Sequence, residues 1–88
     1  MPRQEMYKTL QELKLELDKL HFEHEAHRAA VSDSVATLER KLQEESLMSG
    51  DEFLVHELKD ALEAFEESHP RVTDLVSRMT DLLSKIGI

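Results

Sequence analysis

Five histidines and an excess of carboxylates are the side chains with which this chain could do chemistry. Three of the histidines, His21, His24 and His27, follow one another at intervals of three, flanked by Glu23 and Glu25. On a helix, residues three apart are neighbours. Two imidazoles there could share a zinc or nickel ion, with a carboxylate completing the set. Such a site also needs a third ligand and supporting hydrogen bonds, and His69 supplies one only if the fold brings it close. The competing reading makes these partly exposed residues at a helix junction. That reading is preferred, and neither metal nor cofactor is expected.

Glu66 and His69 have the i,i+3 spacing of ligands in di-iron helical bundles. Those sites require a second Glu-x-x-His and two further inward glutamates, and Asp18-x-x-His21 is the only approximate mate. A solvated acidic turn, with His69 at a helix junction, is the stronger interpretation. Ser32, Ser34 and Ser68 carry no signature of an activated nucleophile, and there is no cysteine to supply a thiolate or a disulfide. Of the four methionines, Met6 and Met79 fall in apolar seams and Met48 in a turn, which suits packing better than ligand binding. The chain is expected not to be an enzyme.

Charge narrows the partners. The net charge is −8, and residues 51–69 carry seven acids (Asp51, Glu52, Glu57, Asp60, Glu63, Glu66, Glu67) against Lys59 alone. Such a surface repels phosphate backbones and anionic headgroups, so neither nucleic acid nor a membrane surface is an expected partner. It could dock a basic protein, or it could be a solvated face. No apolar run approaches the roughly 20 residues that span a bilayer, and the N-terminus lacks the apolar core of a secretory signal. A cytoplasmic location follows as the default.

The elements that must position these groups are helices. Apolar residues recur in alternating steps of four and three through Met6, Leu10, Leu13, Leu17 and Leu20, then Val31, Val35, Leu38 and Leu42. A second series runs through Leu54, Leu58, Ala61 and Phe65, then Val72, Leu75, Met79, Leu82 and Ile86. This spacing lays one apolar stripe along each helix and demands a partner for it. The expectation is one all-α domain over residues 1–88, an antiparallel helical hairpin or small bundle. Its arms run about 3–46 and 50–86.

Punctuation refines the arms. Residues 21–25 either break the first arm or continue it. A continuous helix would place His24 and His27 in the apolar line, whereas a turn would free Phe22 to pack. Ser49-Gly50-Asp51-Glu52 matches a capping box, with Ser49 as N-cap, Glu52 reaching back to its amide, and Met48 and Phe53 as a hydrophobic staple. Pro70 predicts a new helix or a kink at 68–70. Asp74 with Arg78, and Asp81 with Lys85, have the spacing of helical ion pairs. Gly87 and Ile88 suit a Schellman ending, so the last helix and the chain are expected to finish together.

Phe65-Glu66-Glu67-Ser68-His69-Pro70, the apolar helix after it and the ending Leu83-Ser84-Lys85-Ile86-Gly87-Ile88 resemble a family of small bacterial helical proteins catalogued only as a domain of unknown function. Residues 10–17, Leu-Gln-Glu-Leu-Lys-Leu-Glu-Leu, are similar to that family's opening helix. The resemblance spans most of the chain and implies a turn after the first helix. It implies no activity.

Val55, Leu62, Val76 and Leu83 widen the second arm's stripe beyond what one facing helix covers. They are the expected interface of a homo-dimer, because self-association is the simplest way to bury them. The expected function is therefore that of a structural or interaction protein that self-associates. The alternatives are an adaptor for a basic partner through residues 51–69, or a metal-binding protein through His21, His24 and His27.

Overall fold

The computed structural model describes the backbone of residues 2–86, and their side chains apart from those of Pro2 and Ser49. These residues form four α-helices: α1 (Pro2–Leu17), α2 (Glu25–Gln43), α3 (Glu52–Leu62) and α4 (Pro70–Ile86). Short 3-10 turns at Ser49–Asp51 and Glu63–Phe65 bracket α3. The Schellman ending expected at Gly87 and Ile88 lies outside the described residues.

Both arms break. Helix α1 ends at Leu17 and tightens through Lys19 N–H to the Glu16 carbonyl at 3.0 Å and Leu20 N–H to the Leu17 carbonyl at 3.1 Å. The chain turns without glycine or proline because the turn buries Leu20 and half-buries Phe22, while His21 and His24 face solvent. A continuous helix would have placed imidazole rings in the seam instead. In the second arm, Pro70 opens a new helix and does not kink an old one. As the first residue of α4 it gives up an N–H that would have had no intrahelical partner.

The breaks fold the hairpin over on itself. An unbroken arm over 3–46 would be about 65 Å long at the α-helical rise. The molecule's longest extent is 38 Å. Helix α1 lies along α4 and more lightly against α2, while α3 lies between α2 and α4, so every helix has two neighbours.

That arrangement corrects the expected interface. Val55, Leu62, Val76 and Leu83 all lie inside the single chain, none more than 2 % exposed. Folding the second arm at residues 66–69 turns the flank of α3 against that of α4, so the wide stripe is covered without a second copy. Together with Leu10, Leu38, Leu58, Leu75 and Met79 these residues form one continuous core. Leu47, in the α2–α3 connection and part of no helical series, is also fully buried.

The central turn differs from the expected capping box. Glu52 does not reach back; its carboxylate meets His56 Nε2 at 3.2 Å. Asp51 takes that role one residue earlier, its Oδ2 accepting the Met48 N–H at 3.0 Å and its Oδ1 facing Lys41 Nζ at 3.4 Å. A 3-10 turn precedes α3, which shifts the cap. The side chain of Ser49 lies outside the described residues. Met48 and Phe53 form no buried staple, being 67 % and 56 % exposed.

Candidate functional site

The three histidines do not converge. His21 and His24 lie before α2 in non-helical chain, so the i,i+3 geometry that would have brought two rings together is missing. His27 turns inward, where its Nε2 donates to the Ala61 carbonyl. Among the described residues, no three His, Cys, Asp or Glu side chains gather as metal ligands. His69 stays at the α3–α4 junction, its ring 6.2 Å from that of Phe65 and its N–H donating to the Phe65 carbonyl at 2.7 Å.

These rings instead close one end of the bundle. Phe22 meets His27 and Phe65 edge-on, at 5.1 and 5.0 Å between centroids. His27 also lies roughly parallel to Phe65, at 6.2 Å, and the Arg28 guanidinium sits 5.6 Å above Phe22. Edge-to-face rings align the positive rim of one with the negative face of the other, and Arg28 adds a cation–π contact. The chemistry here is packing and capping.

Polar contacts hold the helices in register. Glu39 of α2 accepts Gln11 Nε2 at 2.6 Å and Lys14 Nζ at 3.0 Å, both from α1. The Gln11 hydrogen bond first, and then Lys14, hold the Glu39 carboxyl below its ordinary value. Arg71 of α4 reaches Glu16 at 3.3 Å and Glu12 at 3.8 Å on α1. Neither Asp74–Arg78 nor Asp81–Lys85 closes to an ion pair among the described residues, although both have the helical spacing.

The outer side of α3 is different. Phe53, Glu57 and Asp60 follow one line on α3, Glu63 continues in the 3-10 turn, Glu66 and Glu67 lie in the turn before α4, and all are exposed. None of Glu57, Asp60, Glu63, Glu66 and Glu67 forms an ion pair among the described residues. The acidic segment 51–69 therefore divides in two. Asp51 and Glu52 have partners within the chain, whereas the five acids from Glu57 onward form no ion pair among the described residues. Phe53 sits at the head of this strip as a large exposed ring.

A cleft opens beside the strip, between α3 and α4. It is lined by Lys59, Asp60, Leu62, Glu63, Glu66, Thr73 and Val76. Other grooves run between α1 and α4 past Glu5, Thr9 and Arg78, and between α1 and α2 past Leu17, Val35 and Glu39. The sequence marked the acidic segment but not the cleft, because Thr73 and Val76 reach it only once the second arm has folded.

No described helix is long and apolar enough to cross a membrane. The family model for "Domain of unknown function (DUF4404)" matches residues 6–88, and the chain belongs to that family. No curated protein and no solved structure matches the chain.

Proposed function

We propose that this member of the family is a non-enzymatic adaptor that holds a basic protein partner against the outer face of α3. One observation carries the reading: five exposed carboxylates along α3 and the turn that follows it form no ion pair among the described residues, and an exposed aromatic ring, Phe53, heads them. Elsewhere Glu12, Glu16, Glu39, Glu44 and Glu45 each have a basic partner within the chain, while Glu5, Asp18, Glu23, Glu25, Asp33, Asp74 and Asp81 have none among the described residues. Unpaired like charges along one segment repel, and a cationic surface would relieve that repulsion. Phe53 adds the apolar contact that charge alone lacks, since aromatic residues dominate interface hot spots.

A phosphate backbone or an anionic bilayer would meet this face with like charge, so neither belongs to the reading. Self-association through Val55, Leu62, Val76 and Leu83 has lost its ground, because the chain itself covers them. The α3 face now supports the interaction reading. A cytoplasmic setting fits a chain without cysteine, which needs no oxidising compartment for its stability.

The test is affinity capture from the native host with the intact protein beside a neutralised variant. That variant carries Glu57→Gln, Asp60→Asn, Glu63→Gln, Glu66→Gln and Glu67→Gln. The expected result is a basic protein retained by the parent, released by moderate salt and absent with the variant. Exposed charge pairing is screened over about 8 Å at physiological ionic strength. Identical capture by both proteins would overturn the reading.

A further inference from the structure

We infer that Met48 is an oxidation site, a thioether that takes one oxygen atom from hydrogen peroxide while the fold stays intact. The inference stands apart from the docking reading of α3.

The chain contains no cysteine, so methionine supplies all of its sulfur chemistry. Three of the four methionines lie among the described residues, and the fold sorts them sharply. Met6 and Met79 are 0 % exposed in the core, whereas Met48 is 67 % exposed. Oxidation of a thioether follows access, because the oxidant must reach the sulfur. The sulfur lone pair attacks one peroxide oxygen, and the O–O bond breaks as an S–O bond forms. Sulfur loses two electrons, and the peroxide is reduced to water. The product, a sulfoxide, is polar and chiral where the thioether was apolar and flexible.

The turn around Met48 tolerates that product. The Met48 N–H donates to Asp51 Oδ2 at 3.0 Å, and the Met48 carbonyl accepts the Asp51 N–H at 2.9 Å. Leu47, buried in the core, anchors the residue before it. Backbone bonds and a neighbour therefore hold the turn, and the exposed Met48 side chain does not. A sulfoxide there is solvated, whereas at Met6 or Met79 it would lie in the core without water to pair it. Oxidation of Met48 thus makes the surface before α3 more polar and leaves the bundle standing. Return to the thioether takes two thiols from outside the chain, which become a disulfide as the oxygen leaves as water.

The test exposes the full chain to hydrogen peroxide, in native buffer and in urea, followed by tryptic digestion and mass spectrometry. Cleavage after lysine and arginine places every methionine in its own peptide, so each is read separately. In the folded chain Met48 is expected to oxidise about tenfold faster or more than Met6 and Met79, and in urea the three rates are expected to converge. Chains carrying one oxygen, at Met48, are expected to keep their helix content by circular dichroism. Met48→Leu is expected to remove the added oxygen from the peptide spanning residues 42–59 and to leave Met6 and Met79 as slow as before. Equal rates for the three in the folded chain would overturn the inference. So would lost helix content when Met48 alone is oxidised, or a preference for Met48 that persists in urea.

Discussion

The Nε2 of His27, near the start of α2, donates to the carbonyl of Ala61, near the end of α3. Helix α3 gives way to a 3-10 turn at Glu63, so its last carbonyls lack the amides that a longer helix would provide. The imidazole supplies one such donor from another helix. Its ring simultaneously packs against Phe22 and Phe65, so one side chain joins the two junctions that fold the hairpin.

Removing that ring should loosen both junctions. His27→Ala is expected to destabilise the protein by about 1–3 kcal/mol, combining an unpartnered carbonyl with lost packing. His27→Phe restores the ring without the donor and should recover part of the loss. Urea unfolding measures both. Because His27 and Phe65 contact each other, the double change His27→Ala with Phe65→Ala should be less than additive. Full additivity would mean that the ring contacts carry no coupling energy.

The helical series and the core were legible from the sequence because a buried stripe has a fixed period. The seams at Met6, Leu10 and Leu13, or Val72, Leu75 and Met79, describe what is buried. The outcome at residues 21–25 was less accessible, since that turn uses neither glycine nor proline. It depends on Leu20 and Phe22 finding a place against the other arm. The interface residues misled for a related reason. Val55 and Leu83 look surplus only while each arm is straight, and the periodicity does not say that an arm doubles back. At the candidate site, the acids of α3 and of the turn after it were visible as composition. Which of them lack partners depended on Asp51 meeting Lys41 and Glu52 meeting His56.

The buried flank of Val55, Leu62, Val76 and Leu83 gives a direct test of the fold. Leu62→Glu or Leu83→Glu would place a carboxylate in a closed core, at positions 2 % and 1 % exposed. Each change should destabilise by about 3 kcal/mol or more, through lost burial and an unpaired buried charge. Circular dichroism is therefore expected to show lost helix content. Retention of a fully folded monomer after dissociation of a dimer would instead place these residues at an intermolecular contact.

The turn before α3 offers a paired comparison. Asp51→Ala removes the acceptor for the Met48 N–H and the partner of Lys41, and should cost about 0.5–2 kcal/mol. Glu52→Ala removes only an exposed contact with His56 and should cost much less. Chemical denaturation ranks the two, and the reverse order would restore Glu52 as the capping residue.

Acid should act partly through Glu39. Its carboxyl is held below the ordinary 4.5 by Gln11 and then Lys14. A group whose folded value is depressed contributes stability that is fully present above its unfolded value. That contribution is lost as pH falls through the folded value. Thermal melts from neutral to acidic pH should therefore decline more steeply for the parent than for Glu39→Gln. Parallel profiles would show that the α1–α2 bond adds nothing to acid sensitivity.

The residue just past the C-cap of α2 is strained. Glu45 has φ 55°, while its N–H donates to the Leu42 carbonyl at 3.2 Å and the Ser46 N–H donates to Lys41 at 2.9 Å. Those two bonds form a Schellman ending, whose left-handed position ordinarily belongs to glycine. A side chain there costs roughly 1–2 kcal/mol, whereas glycine loses roughly 0.5–1 kcal/mol through greater freedom in the unfolded chain. The difference favours glycine. Arg3 approaches Glu45 only at 4.0 Å, with both side chains well exposed, so losing that pair matters little. Glu45→Gly is therefore expected to stabilise the protein by up to about 1 kcal/mol, and Glu45→Val to destabilise it, because branching at Cβ worsens the same clash. Equilibrium unfolding in urea decides between them. If Glu45→Gly lowers the midpoint and Glu45→Val does not, the left-handed geometry at this position is wrong.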